Sequence, residues 1–147
     1  MGQGNPTTDE SQVSAGASGA GRAYHQKSNV KIIVDSTADY APEVVRQLGV
    51  EVIPFTYVTP EGEKVDDMWQ TSDPHEFYEH MRKNPDEHYT TCAVTPGRYF
   101  DVFERAAKEG VPTIYMGLTE GLSSSINSAR QAAEMIREKY PDFEIYV

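Results

Sequence analysis

Apolar positions fall in short runs between polar loops, and strand-like and helix-like spacings alternate along the chain. Residues 30–34, Val-Lys-Ile-Ile-Val, are compact, apolar and rich in β-branched side chains, which predicts a buried strand. Asp35-Ser36-Thr37-Ala38-Asp39 follows as a polar loop. Pro42 suits a first helical turn, Val44, Val45 and Leu48 give that helix an apolar face, and Gly49 is a natural stop. Residues 50–58 read as a second strand, where Pro54 predicts an edge position or a bulge. Pro60-Glu61-Gly62 reads as a turn.

Asp73-Pro74-His75-Glu76 carries a cap, a first-turn proline and the acid of a capping box, and so predicts a helix start. Phe77, Met81 and Tyr78 form its expected buried stripe before Asn84-Pro85 breaks it. Thr95-Pro96 starts another helix in the same manner, with Tyr99, Phe103 and Ala106 as core face and Gly110 as its end. Residues 114–118 predict a strand. Residues 124–140 predict a helix stopped by Pro141, with Ile126, Ala129, Ala133 and Ile136 inward. Residues 143–147 read as a last strand. This alternation predicts an α/β fold, a parallel sheet with helices on both faces.

The first 28 residues break the pattern. They hold five Gly and no Leu, Ile or Phe, so residues 1–28 read as a disordered tail or leader. They lack the apolar core of a signal peptide. Residues 29–147 are then the folded domain. Asp9 and Glu10 balance Arg22 and Lys27, so the net charge of −10 sits on that domain. Nucleic acid and anionic membrane surfaces are poor partners for it. No apolar run approaches the ~20 residues of a membrane span, so stable membrane insertion is not expected. The single cysteine, Cys92, fits a reducing, cytoplasmic compartment. An apolar strand running to the last residue predicts a piece of a longer protein.

Candidate chemistry concentrates in residues 119–129, which pack one Thr and four Ser between a strand end and a helix start. Hydroxyls beside free backbone N–H groups favour an anion such as a carboxylate or phosphate. Asp35 follows a strand as an aspartyl nucleophile would, but position 37 is Thr where that chemistry needs a second Asp. It reads as a carboxylate bracing its loop. Cys92 has His75, His80 and His88 elsewhere in the chain, with nothing to fix their approach. His75 and His80 are five apart, not the four of a helical metal pair, so no metal site is expected. Trp69 reads as packing. No Gly-x-Gly-x-x-Gly or P-loop occurs, and no cofactor is expected.

Four motifs in order resemble the DegV family of bacterial lipid-binding proteins. They are Asp35-Ser36-Thr37 after the first strand, Asp73-Pro74-His75-Glu76-Phe77-Tyr78, Thr90-Thr91-Cys92-Ala93-Val94-Thr95-Pro96-Gly97, and Gly121-Leu122-Ser123-Ser124-Ser125. Two departures stand out: Cys92-Ala93-Val94 replaces Ser-Gln-Pro, and Ser124 replaces Gly. The resemblance covers residues 30–147 and implies an N-terminal domain whose second domain is absent. It implies a binding protein rather than an enzyme, holding a long-chain fatty acid by its carboxylate and presenting it to a fatty acid kinase catalytic subunit. It implies Thr91 and Ser123 as the carboxylate ligands, with Asp35, Ser36, Thr37, Cys92 and Ser124 as weaker candidates. One helix and one strand separate Thr91 from Ser123. In a single parallel sheet that would bring both to one edge near the start of the 124–140 helix. The alternatives are a small hydrolase using Asp35 or Cys92, or an interaction module whose site has decayed.

Overall fold

The computed structural model describes residues 29–147, so the tail predicted for 1–28 lies outside the described residues. Seven strands and four helices follow in order: β1 (Lys31–Asp35), α1 (Pro42–Leu48), β2 (Glu51–Ile53), β3 (Phe55–Thr59), β4 (Gly62–Asp66), α2 (Pro74–Lys83), β5 (Thr90–Cys92), α3 (Pro96–Glu109), β6 (Thr113–Met116), α4 (Ser125–Lys139) and β7 (Ile145–Tyr146). A 3-10 turn, Ser36–Ala38, follows β1.

The strands divide between two sheets. One is parallel, ordered β2-β1-β6-β7; the other is antiparallel, ordered β4-β3-β5. Helices cover both faces of the parallel sheet, as the alternation predicts. Successive side chains on a strand point to opposite faces. Ile33 and Tyr115 therefore face α3 and α4, packing with Phe103, Ala129, Ala133 and Ile136. Val34 faces the other way, onto Val45 of α1 and Met68.

The antiparallel sheet is a departure. Residues 50–58 are not one strand. Pro54 stands between β2 and β3, where the chain leaves one sheet for the other. Proline has no N–H to give a ladder, so the crossing occurs where pairing is already impossible. The Pro60-Glu61-Gly62 turn closes the β3–β4 hairpin, with Thr59 opposite Gly62. Two expected core faces are looser than their spacing suggests. Leu48 is exposed on the seven-residue α1. Phe77 and Met81 of α2 are half-buried and Tyr78 is exposed. Phe77 instead meets the rings of Tyr57, Trp69, Tyr78 and Tyr89, with centroids 5.3–5.8 Å away.

The helix starts follow their capping chemistry. Asp73 accepts the His75 and Glu76 N–H groups, and Thr95 accepts that of Arg98. On the outer side of α3, Glu104 gathers Lys139 at 2.5 Å, Lys108 at 2.9 Å and the Tyr140 hydroxyl at 3.1 Å.

Those donors, Lys139 first, hold the Glu104 carboxyl down to about 2. A carboxyl depressed in the folded state contributes stability above its unfolded value of 4.5, and loses it as pH falls through that value toward about 2. Glu104→Gln should therefore melt at a lower temperature than the parent at pH 7, with the gap closing between pH 4.5 and about 2. Thermal melts across that range check it; a gap independent of pH would contradict it. A second expectation concerns Ser36, fully buried, whose hydroxyl accepts the Phe55 N–H at 3.0 Å. Ser36→Ala leaves a buried N–H unpaired and should cost about 1–3 kcal/mol in denaturant unfolding.

Candidate ligand-binding site

β1 and β6 are parallel neighbours, and the chain turns to opposite sides of the sheet after them. From β1 it passes to β2, and from β6 to β7. Such a reversal opens a crevice beyond the carboxyl ends of the two strands, where open α/β sheets bind ligands. The loops entering that crevice are 35–39, read as a polar loop from the sequence, and 117–124, which overlaps the hydroxyl-rich segment 119–129.

Asp35 is the centre of it. Its side chain is 1% exposed. Oδ1 accepts the N–H and the hydroxyl of Thr37. Oδ2 accepts the Tyr115 hydroxyl at 2.8 Å and the Leu118 N–H at 3.1 Å. Four donors fill the four lone-pair directions of a carboxylate. Nothing is left for attack on a substrate, and Asp35 takes the bracing role. The carboxylate thus ties its own loop to the loop that follows β6. Ser36 ties the same loop to β3 through Phe55.

Ser123 is half-buried, two residues before α4. Its Oγ accepts the Ser125 N–H at 3.2 Å and lies 3.1 Å from Ser125 Oγ. It satisfies one of the N–H groups at the helix start, and the Ser124 carbonyl takes those of Asn127 and Ser128. Ser124 is exposed, occupies the cap position with helical backbone, and makes no side-chain cap bond. Ser125 is fully buried and accepts the Val94 N–H at 3.2 Å.

Thr91 is placed differently from the expectation. It lies in β5 of the antiparallel sheet, opposite Tyr57, and not at an edge of the parallel sheet. The reasoning that returned it beside Ser123 through a parallel crossover does not hold. What joins the two segments is the Val94–Ser125 hydrogen bond, three residues past Thr91 and two past Ser123. Thr91 lines a cavity of about 200 Å³ with Phe55, Tyr57, Trp69, Phe77 and Tyr78. Ser123 is not among its lining residues. Cys92, the next residue on β5, is exposed and pairs with Thr56. The volume is below the ~300–1,000 Å³ usual for small-molecule sites, so the cavity accommodates only part of a long ligand. Exposed apolar side chains flank both places: Leu122, 77% exposed, beside Ser123, and Val65 and Tyr78 at the Thr91 cavity.

The hydroxyl geometry behind Asp35 escaped the sequence. Tyr99 was legible as core and Tyr115 as part of a strand, but their hydroxyls lie 2.9 Å apart and that of Tyr115 reaches Asp35. Burial pushes both phenols up, Tyr115 furthest, with the Tyr99 hydroxyl and the Asp35 charge adding to it. A buried tyrosine needs a partner for its hydroxyl. Two tyrosines at core positions of α3 and β6 were the available signal. Trp69, read as packing, meets the rings of Phe77 and Tyr78 and lines the aromatic cavity, with a backbone φ of 61°. Among the described residues no group of three or more potential ligands could hold a metal ion. No helix among them is long and apolar enough to cross a membrane.

The fold and the site can be set beside known proteins. The family model for DegV, described as an uncharacterised protein family, matches residues 29–147. A DegV domain-containing 15.5 kDa protein of Staphylococcus aureus is 31% identical over 105 residues, which cover 71% of this chain and 72% of the relative. A stearic acid-binding protein from Eubacterium ventriosum superposes with a TM-score of 0.72 at 28% identity, covering 80% of this chain and 40% of that one. The Fatty Acid Kinase (Fak) B3 protein of Streptococcus pneumoniae, loaded with linoleic acid, superposes at 0.61 and 28% identity with the same coverage. This chain thus spans 39–40% of the length of those two structures and of a Clostridium perfringens relative. The match runs from before β1 to the end of β7, through every loop of the crevice, and the chain belongs to the DegV family.

Proposed function

We propose that this domain binds a long-chain fatty acid by its carboxylate, with Ser123 and Thr91 as ligand hydroxyls, and presents it to a kinase partner for phosphorylation. The observation that carries the reading is the shared architecture, at 28% identity, with a protein that binds stearic acid. The crevice supplies suitable chemistry. The Ser123 hydroxyl is a neutral donor, and the loop that carries it, residues 117–124, holds no Lys or Arg. Charge-assisted bonds of this kind contribute about 1.5–3 kcal/mol each. A site built from neutral donors holds a carboxylate and still releases it. The apolar counterpart is the aromatic cavity beside Thr91, rimmed by exposed Val65 and Tyr78. Likeness to a Fak B3 protein supports the kinase partner. The role is that of a carrier, and residues 29–147 form the N-terminal lipid-binding domain of it. A cytoplasmic setting agrees with its lone exposed thiol.

Titration of oleic acid into the chain and its variants tests this. Ser123→Ala removes one donor and should weaken binding by about 1–3 kcal/mol. Thr91→Val keeps the shape and should remove only its bond. The double variant should lose measurable binding while circular dichroism stays at the parent's. Binding by the double variant at the parent's affinity would place the carboxylate elsewhere. The kinase step is read separately, as acyl phosphate formed from ATP in the presence of a fatty acid kinase catalytic subunit.

A further inference from the structure

Two cavities lie between α2 and one face of the antiparallel sheet. Strand alternation puts Phe55, Tyr57 and Thr59 of β3 on that face, with Asp66 and Lys64 beside them on β4 and Thr91 on β5. The near cavity is the one beside Thr91, of about 200 Å³, at the Phe55 end. The far cavity, of about 240 Å³, lies at the Thr59 end and takes Lys64 and Tyr89 into its wall. Tyr57, Ser72 and Phe77 line both. Phe77 reaches the sheet from α2 and stands its ring at 87° to that of Tyr57, with centroids 5.7 Å apart. Its ring also meets Trp69 and Tyr78, which line only the near cavity, and Tyr89, which lines only the far one. The two spaces are therefore one groove, interrupted where Phe77 meets Tyr57.

We propose that Phe77 is the specificity-determining residue for acyl chain length: its ring closes the groove, so the tail of the bound acid fills the near cavity and stops there. The inference rests on the fatty-acid-binding reading given above. Neither cavity alone reaches the ~300–1,000 Å³ usual for small-molecule sites, and the two joined do. The far cavity suits a tail once the ring is removed. Its charged groups are paired among themselves, Lys64 with Glu61 and His80 with Glu87, each at 2.9 Å. Tyr57 and Tyr89 supply an apolar wall. The closure also sits outside the parts that hold the domain together. α2 has no fully buried side chain, and Phe77 belongs to neither core cluster. A smaller side chain at this position therefore opens the groove without taking a residue from either core. A long acid then moves methylenes out of water that the parent leaves exposed, and a short acid does not.

The test titrates myristoleic, oleic and erucic acids, all monounsaturated and of increasing length, into the parent chain, Phe77→Leu, Phe77→Ala, and Phe77→Ala combined with Lys64→Trp. The readout is the ratio of erucic to myristoleic affinity. Phe77→Ala should raise it about tenfold or more, since each methylene that gains burial is worth about fourfold. Phe77→Leu should raise it by less. Lys64 lines the far cavity and not the near one, so Lys64→Trp fills the opened space and should return the ratio to the parent's. A ring that only held α2 in place would, when removed, weaken all three acids alike. An unchanged ratio, or a raised ratio that survives Lys64→Trp, overturns the proposal. If Phe77→Ala does not fold, Phe77→Leu decides, and an unmoved ratio there overturns it. A parent that binds none of the three acids sinks the fatty-acid reading and this proposal with it. A parent that binds them, with the ratio fixed in every variant, sinks the proposal alone.

Discussion

The acceptance of four hydrogen bonds by one buried carboxylate organises this domain. Asp35 ends β1, the strand at the centre of the parallel sheet, flanked by β2 and β6. It takes two donors from its own loop, one from β6 itself and one from the loop that follows β6. A carboxylate in a low-dielectric interior is costly unless every lone pair is met. That requirement fixes Thr37, Tyr115 and Leu118 around it. The loop carrying Ser123 leaves β6 from a point already anchored, and α4 begins where that loop ends. Position, packing and polar satisfaction agree here, as they do where a sequence specifies one local structure.

The parts of the fold that were legible in the sequence are those with a long, one-sided apolar repeat. In α3, Tyr99, Phe103 and Ala106 are fully buried, as their spacing indicates. In α4, Ile126, Ala129, Ala133 and Ile136 are buried too. Both helices were also marked by a proline or a small hydroxyl residue at the start and a stop at the end. The antiparallel sheet was not legible for a physical reason. β4 reads Gly-Glu-Lys-Val-Asp and β5 reads Thr-Thr-Cys, both largely open to solvent. Their pairing comes from backbone ladders against β3, and a strand that buries little leaves little periodicity.

The site was legible as a set of loops and not as a geometry. Asp35 and Ser123 stood out because polar residues crowd the ends of β1 and β6. The bonds that tie Asp35 into the core did not, because they run through Tyr115 and Tyr99, which carry one polar atom each on otherwise apolar side chains. Spacing reports where a ring is buried and is silent on where its hydroxyl points. Thr91 shows the complementary failure. The resemblance singled it out on a loop, but it lies on a strand, in a sheet the pattern did not reveal.

Met68 and Trp69 both hold left-handed backbone, with φ of 56° and 61°. That conformation costs non-glycine residues about 1–2 kcal/mol each. Asp66 and Asp67 hold the turn in place by accepting the N–H groups of Met68, Gln70 and Thr71. Met68 is sunk among Val34 and Val45 under α1, while its neighbour roofs the aromatic cavity at Thr91. Two adjacent residues therefore serve as a rivet through both layers, and neither side chain can be re-seated without turning the other.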